Sequence, residues 1–338
     1  MRFSRFGILC SALANWCAAV VLALCWNTGG AFGEVVKVGM LREGAMTGPI
    51  FIAKDKGYFA AEGIDCRVVT FDAALAVTVA VVSGDLDVAA TGLTAGFYKL
   101  ASEGALRIIA GYGREAPNFH AQAFVASKRA YAAGLTGPAA LGGRTVAISQ
   151  LGGSSHYSLG LLAAKYGFDL KTVQVLPLQS NPNAATAVIG GKADAGIIPG
   201  RYLRQALERG DVELLGWIGD MVPWQLGALI TSTKRLNDER DVLARFVRAY
   251  RKGVSDYHDA FTGPGERRQD GPAAPEMLAI LARDTGNPVA ALEATIGYID
   301  RDGRLDVADV ARQIAWYKAQ HLLTGTLSTD ELVVSLGP

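Results

Sequence analysis

The chain has 338 residues, more than twice the usual size of one domain, so two lobes or domains are expected, each with sequence enough for its own core. Half of the residues are hydrophobic and 19% are charged, a balance that fits a folded globular protein and excludes a disordered one. A formal charge of +1 gives no sign of a nucleic-acid or anionic-membrane partner.

Arg2 and Arg5 precede an apolar run from Gly7 to Trp26, which ends in AFG at 31–33. The pattern predicts a secretory signal over residues 1–33, removed before Glu34. The run is long enough to compete with a membrane anchor, but Ser11, Asn15 and the A-x-G pattern favour cleavage. Leu24 stands where a small residue would be needed to make Cys25 a lipid-attachment site. Cys10, Cys17 and Cys25 leave with the leader, so Cys66 is alone in the mature chain and no internal disulfide forms. Losing the two arginines shifts the formal charge to about −1.

From Glu34 onward, β-branched runs alternate with helix-like ones. Strands are predicted at 35–41, 66–71, 87–91, 107–112, 123–127, 145–149, 173–178 and 195–199. Such alternation predicts βαβ units and largely parallel sheets. AALAVTVAVV (73–82) is rich in valine, yet Asp72 as a cap and Gly84 as a stop frame it as a helix. After about residue 235 the pattern turns helical, beginning with a long amphipathic stretch at 237–261 and continuing to about Thr324. GPGERRQDGPAAP (263–275) reads as an exposed loop.

The junctions between strands and following helices carry the chemistry. Strand 35–41 leads to Met46, Thr47 and Gly48 before Pro49; strand 87–91 leads to Thr91 or Thr94 as the cap. Strand 145–149 leads to Gly152 and Gly153 with Ser154 or Ser155 as the cap, and strand 173–178 to Asn181 as cap with Pro182 opening the helix. In an open α/β sheet all of these lie at the carboxyl ends of the strands, where ligands bind. Several helix starts aimed at one crevice would hold an anion through backbone N–H groups without lysine or arginine.

A catalytic reading fares worse. Gly152–Gly153–Ser154–Ser155–His156 comes within one residue of G-x-S-x-G, but His156 replaces the glycine that keeps the elbow tight. Adjacent serine and histidine on a helix do not face each other. There is no P-loop, no G-x-G-x-x-G after a strand, no H-E-x-x-H and no Cys/His cluster, so no catalytic residue, metal or cofactor is expected. YIDRDGRLDVAD (298–309) resembles a calcium loop, yet Tyr298 stands at the first ligand position, and a turn that caps the last helix is the favoured reading.

KDKGYFAAEGIDCRVV (54–69) followed by SGDLDVAATG (83–92), and later LGGRTVAISQLGGSSHYSLGLLAAKYGFD (141–169) and AVIGGKADAGII (187–198), resemble the periplasmic substrate-binding proteins of ABC importers. Within that group the resemblance is to the branch taking up nitrate, sulfonates, taurine and thiamine-pyrimidine precursors. It implies an α/β, two-lobed fold of the type II periplasmic kind. Each lobe would be a mixed, mostly parallel five-stranded sheet flanked by helices, with two crossings near 114–121 and 220–228. Lobe 1 would hold 34–118 and 227–338, and lobe 2 119–226. It also implies a small anionic ligand, permease and ATPase partners, a periplasmic location and a monomer.

One departure concerns the strand at 195–199: relatives commonly carry an acidic or aromatic residue after it, and this chain has Pro199–Gly200–Arg201–Tyr202. Arg201 either meets a second carboxylate or sulfonate across the cleft or is a solvated turn residue. His156 either donates to the ligand or packs against the opposite lobe. Tyr112, Arg114 and His120 are each ligand contact or hinge. Trp224 is an aromatic wall or hinge packing. The candidate binding set is therefore Met46, Thr47, Gly48, Thr91, Thr94, Tyr112, Gly153, Ser154, Ser155, His156, Arg201 and Trp224. With Tyr112, His156 and Trp224 inward, an aromatic carboxylate is favoured over a small inorganic ion. The leading expectation is a solute receptor for a sulfonate or carboxylate. An enzyme on the same scaffold, of the pyrimidine-precursor-forming or hydrolytic kind, and a sensor subunit are the alternatives; the former lacks the cysteine-rich stretch expected of pyrimidine-forming relatives.

Overall fold

The computed structural model describes residues 33–41 and 45–337; the predicted leader, except Gly33, lies outside them, as do residues 42–44 and 338. Ten strands build two five-stranded sheets. They are β1 (Glu34–Leu41), β2 (Ile64–Phe71), β3 (Val88–Gly92), β4 (Leu106–Glu115), β5 (Gln122–Ser127), β6 (Thr145–Ile148), β7 (Gln174–Pro177), β8 (Ala195–Pro199), β9 (Val212–Trp217) and β10 (Trp224–Ser232). The sheet orders are β2-β1-β3-β10-β4 and β7-β6-β8-β5-β9. Helices of eight or more residues are α1 (Gly48–Asp55), α2 (Ala74–Ser83), α3 (Ala95–Ser102), α4 (Ser154–Tyr166), α5 (Asn181–Ile189), α6 (Arg240–Phe261), α7 (Ala274–Thr285) and α8 (Val307–Ala319).

Each sheet contains one inverted strand. In the first, β1 runs parallel to β2 and β3, whereas β10 is antiparallel to β3 and β4. In the second, β6 runs parallel to β7 and β8, whereas β5 is antiparallel to β8 and β9. The inverted strands are the two that have just arrived from the other sheet. A segment entering at the edge where strands end has to run back down, so both inversions follow from two chain crossings made on the same side.

The eight strands expected from sequence are present within two or three residues at each end, and β9 and β10 are additional. The chain leaves the first sheet at Glu115 and enters the second at Gln122, and it returns between Trp217 and Trp224. Residues 224–228, expected in the second crossing, are already strand, with the first eight residues of β10 buried between β3 and β4. Within the expected loop 263–275, Thr262–Gly263 and Arg267–Arg268 pair as a short hairpin, and α7 begins at Ala274. Asp300 accepts from the N–H groups of Asp302 and Arg304, and Asp306 caps α8 by accepting from Asp309 N–H. These carboxylates are engaged by their own turn, and no group of three metal-ligating side chains occurs among the described residues. Cys66 is buried, which pushes its thiol up to about 12.

The crossings are braced by the C-terminal helices. Gln225, fully buried in β10, donates through Nε2 to the carbonyls of Tyr112 and Gly227 at 2.7 Å, and its Oε1 accepts from Asp306 N–H at 3.0 Å. Asp309 of α8 accepts from Gln225 N–H and from Gln313 Nε2, each at 2.8 Å. Such a network, satisfied throughout, fixes one geometry, because breaking any member leaves a buried polar group without its bond.

Glu115, the last residue of β4, is fully buried. Its carboxyl oxygens have no hydrogen-bond partner of full geometry, although the N–H groups of Gln122 and Gly219 are directed toward them. Burial dominates and holds its pKa well above the ordinary 4.5. The unfolded carboxyl ionises near 4.5 while the folded one keeps its proton, so stability falls as pH rises from that value until the folded group ionises. Glu115→Gln is therefore expected to match the parent near pH 4 and to exceed it increasingly above, by about 1.4 kcal/mol per pH unit over that window. Melting curves from pH 4 to 8 check this; parallel curves would mean that the crossing accommodates the charged carboxylate.

Candidate functional site

A cavity of about 250 Å³ lies between the two sheets, at the ends of β1, β2, β3, β6, β7 and β8. Four helix starts border it. Ala73 and Ala74 open α2, Thr94 caps α3, Gly153 and Ser154 open α4, and Ser180, Asn181 and Pro182 open α5. Two of the four follow strands of the first sheet and two follow strands of the second. The first N–H groups of a helix have no partner within it and carry the positive end of its dipole.

The hydroxyls at these starts are polarised in one sense. Thr94 Oγ1 accepts from Phe97 N–H at 3.2 Å, and Ser180 Oγ accepts from Asn183 N–H at 3.3 Å. Ser154 Oγ accepts from Gln122 Nε2 at 3.2 Å, while Gln122 Oε1 accepts from Ser158. With an acceptor lone pair engaged, each of the three hydroxyls has its proton to donate to the cavity. Arg201, which also borders the cavity, lies 4.2 Å over the Tyr202 ring and donates to the Tyr202 hydroxyl at 2.7 Å. Leu41, Phe71, Tyr112 and Leu226 supply apolar wall, and Asp72 brings a carboxyl to the rim.

Of the residues singled out from sequence, Met46, Thr94, Tyr112, Gly153, Ser154 and Arg201 border this cavity. Thr47, Gly48, Thr91, Ser155, His156 and Trp224 do not. Gly48 turns into the core, where an added Cβ would come 2.9 Å from the Tyr257 ring and 3.1 Å from Leu281, and Thr47 is buried beside it. Thr91 is fully buried because strand alternation sends Ala90 and Gly92 to the cavity and Thr91 to the other face. Ser155 lies one position beyond the helix start and is buried. His156 Nδ1 accepts from Gly152 N–H at 3.1 Å, and its ring meets the edge of Trp316, 5.1 Å away. Trp224 is fully buried edge-on to Tyr157.

Arg114 pairs with Asp306 at 2.9 Å, and His120 stacks on Trp217, so neither reaches the cavity. The caps shift by one residue from expectation: Ala73 precedes α2 in place of Asp72, Gly153 precedes α4 in place of a serine, and Ser180 caps α5 in place of Asn181. Sequence reading missed Gln122, Gln150, Tyr202, Leu226 and Thr295 as cavity residues. Thr295 comes from the C-terminal helical region, and nothing local marks it.

Helix α4 of the second sheet rests on α8. Tyr157 packs edge-on to Trp316 and donates to Asp309 at 3.4 Å, and an added Cβ on Gly160 would come 2.4 Å from the Trp316 indole nitrogen. At the cavity, Ala95 N–H donates to Gly152 O at 2.8 Å across the two sheets. Gly152 has φ +72°, and a Cβ there would come 2.6 Å from that of Ala95, so glycine is required both by backbone and by space.

The model of the family described as NMT1/THI5 like matches residues 45–261. The chain belongs to that family. No curated protein matches it in sequence. Among solved structures it resembles the ligand-binding component of an ABC-type import system from Staphylococcus aureus, at 14% identity and a TM-score of 0.69 over 89% of this chain and 97% of that one. It also resembles the periplasmic aliphatic sulphonate-binding protein SsuA from Escherichia coli, at 17% identity and a TM-score of 0.68 over 89% and 92%. The periplasmic nitrate-binding protein NrtA from Synechocystis PCC 6803 aligns at 14% identity and a TM-score of 0.67 over 89% and 86%. At these identities the likeness is one of fold, the two-lobed periplasmic-binding-protein fold.

His156, which lies behind the cavity wall, gives the fold a measurable acid response. Burial lowers its pKa from 6.5 to about 4, and because Nδ1 is the acceptor of Gly152 N–H, protonation would break that bond. The unfolded ring takes up its proton below 6.5 while the folded ring stays neutral, so stability is lost as pH falls from 6.5 toward 4, by about 3 kcal/mol. His156→Phe is expected to be less stable than the parent at pH 7, by about 1–3 kcal/mol for the orphaned N–H. That gap should close on acidification. Denaturant titrations at pH 7, 5.5 and 4 check this, and a constant gap would rule the assignment out.

Proposed function

We propose that the protein is a solute receptor that captures a small organic anion, a sulfonate or carboxylate, between its two sheets and hands it to a membrane permease driven by a separate ATPase. The observation that carries this reading is the convergence of four helix starts on one cavity, two from each sheet. Such starts grip negative oxygens with main-chain N–H groups already in place. Hydroxyls of Thr94, Ser154 and Ser180 add donors, and Arg201 adds a cation at the rim.

The apolar wall of Leu41, Phe71, Tyr112 and Leu226 favours a guest with a carbon body over a bare inorganic ion. Since His156 and Trp224 face elsewhere, an aromatic guest would meet Phe71, Tyr112 and Tyr202. Ser154 has Gln122 as its partner and no histidine, which favours binding without bond cleavage. A periplasmic, monomeric protein freed of residues 1–33 completes the reading.

A thermal-shift screen of sulfonates, carboxylates, nitrate and pyrimidines tests it on protein beginning at Glu34. A guest at one hundred times its Kd stabilises the folded form by about 2.7 kcal/mol, a shift of several degrees. Thr94→Ala and Ser154→Ala are each expected to weaken binding by roughly 5–30-fold, as measured by titration calorimetry. Recovery of the guest unchanged after incubation separates receptor from enzyme. A flat response to every anion would overturn the proposal.

A further inference from the structure

Met46 sits in the short turn Ala45–Thr47 between β1 and α1, and its side chain forms part of the cavity wall. On its other flank it is pinched by two glycines. A Cβ on Gly113 of β4 would come 2.7 Å from Met46 Sδ, and a Cβ on Gly297 would come 2.5 Å from both Cγ and Sδ. Neither glycine has a positive φ, so neither is required by backbone conformation; both are required by the space the thioether occupies.

The backbone on that flank cannot retreat. Gly297 N–H donates to the Tyr257 hydroxyl at 3.2 Å, that hydroxyl donates to Gly297 O at 3.0 Å, and the next residue accepts from Arg114 N–H at 2.9 Å. Tyr257 is itself buried. Met46 therefore has a rigid back wall and one yielding side, which is the cavity. Building on the receptor function proposed above, we infer that Met46 is a depth gauge. It ends the apolar part of the cavity and so sets how long a carbon chain the bound anion can carry.

The inference makes two opposite demands. Met46→Ala removes three heavy atoms and opens the cavity toward Gly113 and Gly297, which moves the preferred chain length up. Gly297→Ala pushes the thioether inward and moves it down. Each methylene newly buried strengthens binding about four-fold, and each one newly excluded forfeits as much.

The test is titration calorimetry of straight-chain alkanesulfonates from methane- to octanesulfonate, and of the matching carboxylates, against wild type, M46A, M46L and G297A. Melting curves confirm that each variant is folded. The expected result is an optimum about two methylenes longer in M46A, near that of wild type in M46L, and shorter in G297A; if G297A fails to fold, the M46A and M46L pair decides. An unchanged length ranking in M46A, with binding retained, overturns the depth gauge and leaves the receptor reading standing. Absence of any binding to wild type overturns both.

Discussion

A chain that crosses twice between two sheets on the side where their strands end has to bring each arriving strand in upside down. β5 and β10 are those strands, and their inversion turns the carboxyl edges of both sheets toward one gap. The helices that follow β2, β3, β6 and β7 then begin at that gap, so the positive ends of four helix dipoles border the same volume. The electrostatics of the cavity is thus a product of topology before it is a product of side chains.

Side chains refine what topology supplies. Gln122, the first residue after the first crossing, is bonded to both Ser154 and Ser158 of α4, so the point where the chain enters the second sheet also sets the orientation of a cavity hydroxyl. The bond from Ala95 N–H to Gly152 O joins one helix start to the loop before another. His156 holds that same loop through Gly152 N–H, which ties a buried imidazole to the alignment of the two sheets.

The parts of this arrangement that were legible in sequence are those written locally. Eight strands showed as β-branched runs, and Gly84, with φ +84°, marked the stop of α2 as its position suggested. WQLGALITS has only two β-branched residues, Ile230 and Thr231, after glutamine, glycine and alanine, and its place between β3 and β4 is set by pairing with distant strands, so little local announced β10. Facing was hardest to read. Thr91 was separable from its neighbours by the two-residue period of a strand, whereas His156 and Trp224 point away because α8, more than eighty residues downstream, and Tyr157 stand behind them.

The aromatic seam between α4 and α8 has a mechanical consequence. Tyr157, Gly160 and Trp316 interlock along one flank of the gap, while Gln179 and Pro182 on the other flank are open to solvent. The pair of sheets is accordingly bound like a book, with a helix from the far end of the chain as its spine. The fore-edge of such a book is the side of α2 and α5, and the binding is sewn into the same buried core that holds β10, so spine and pages are one piece.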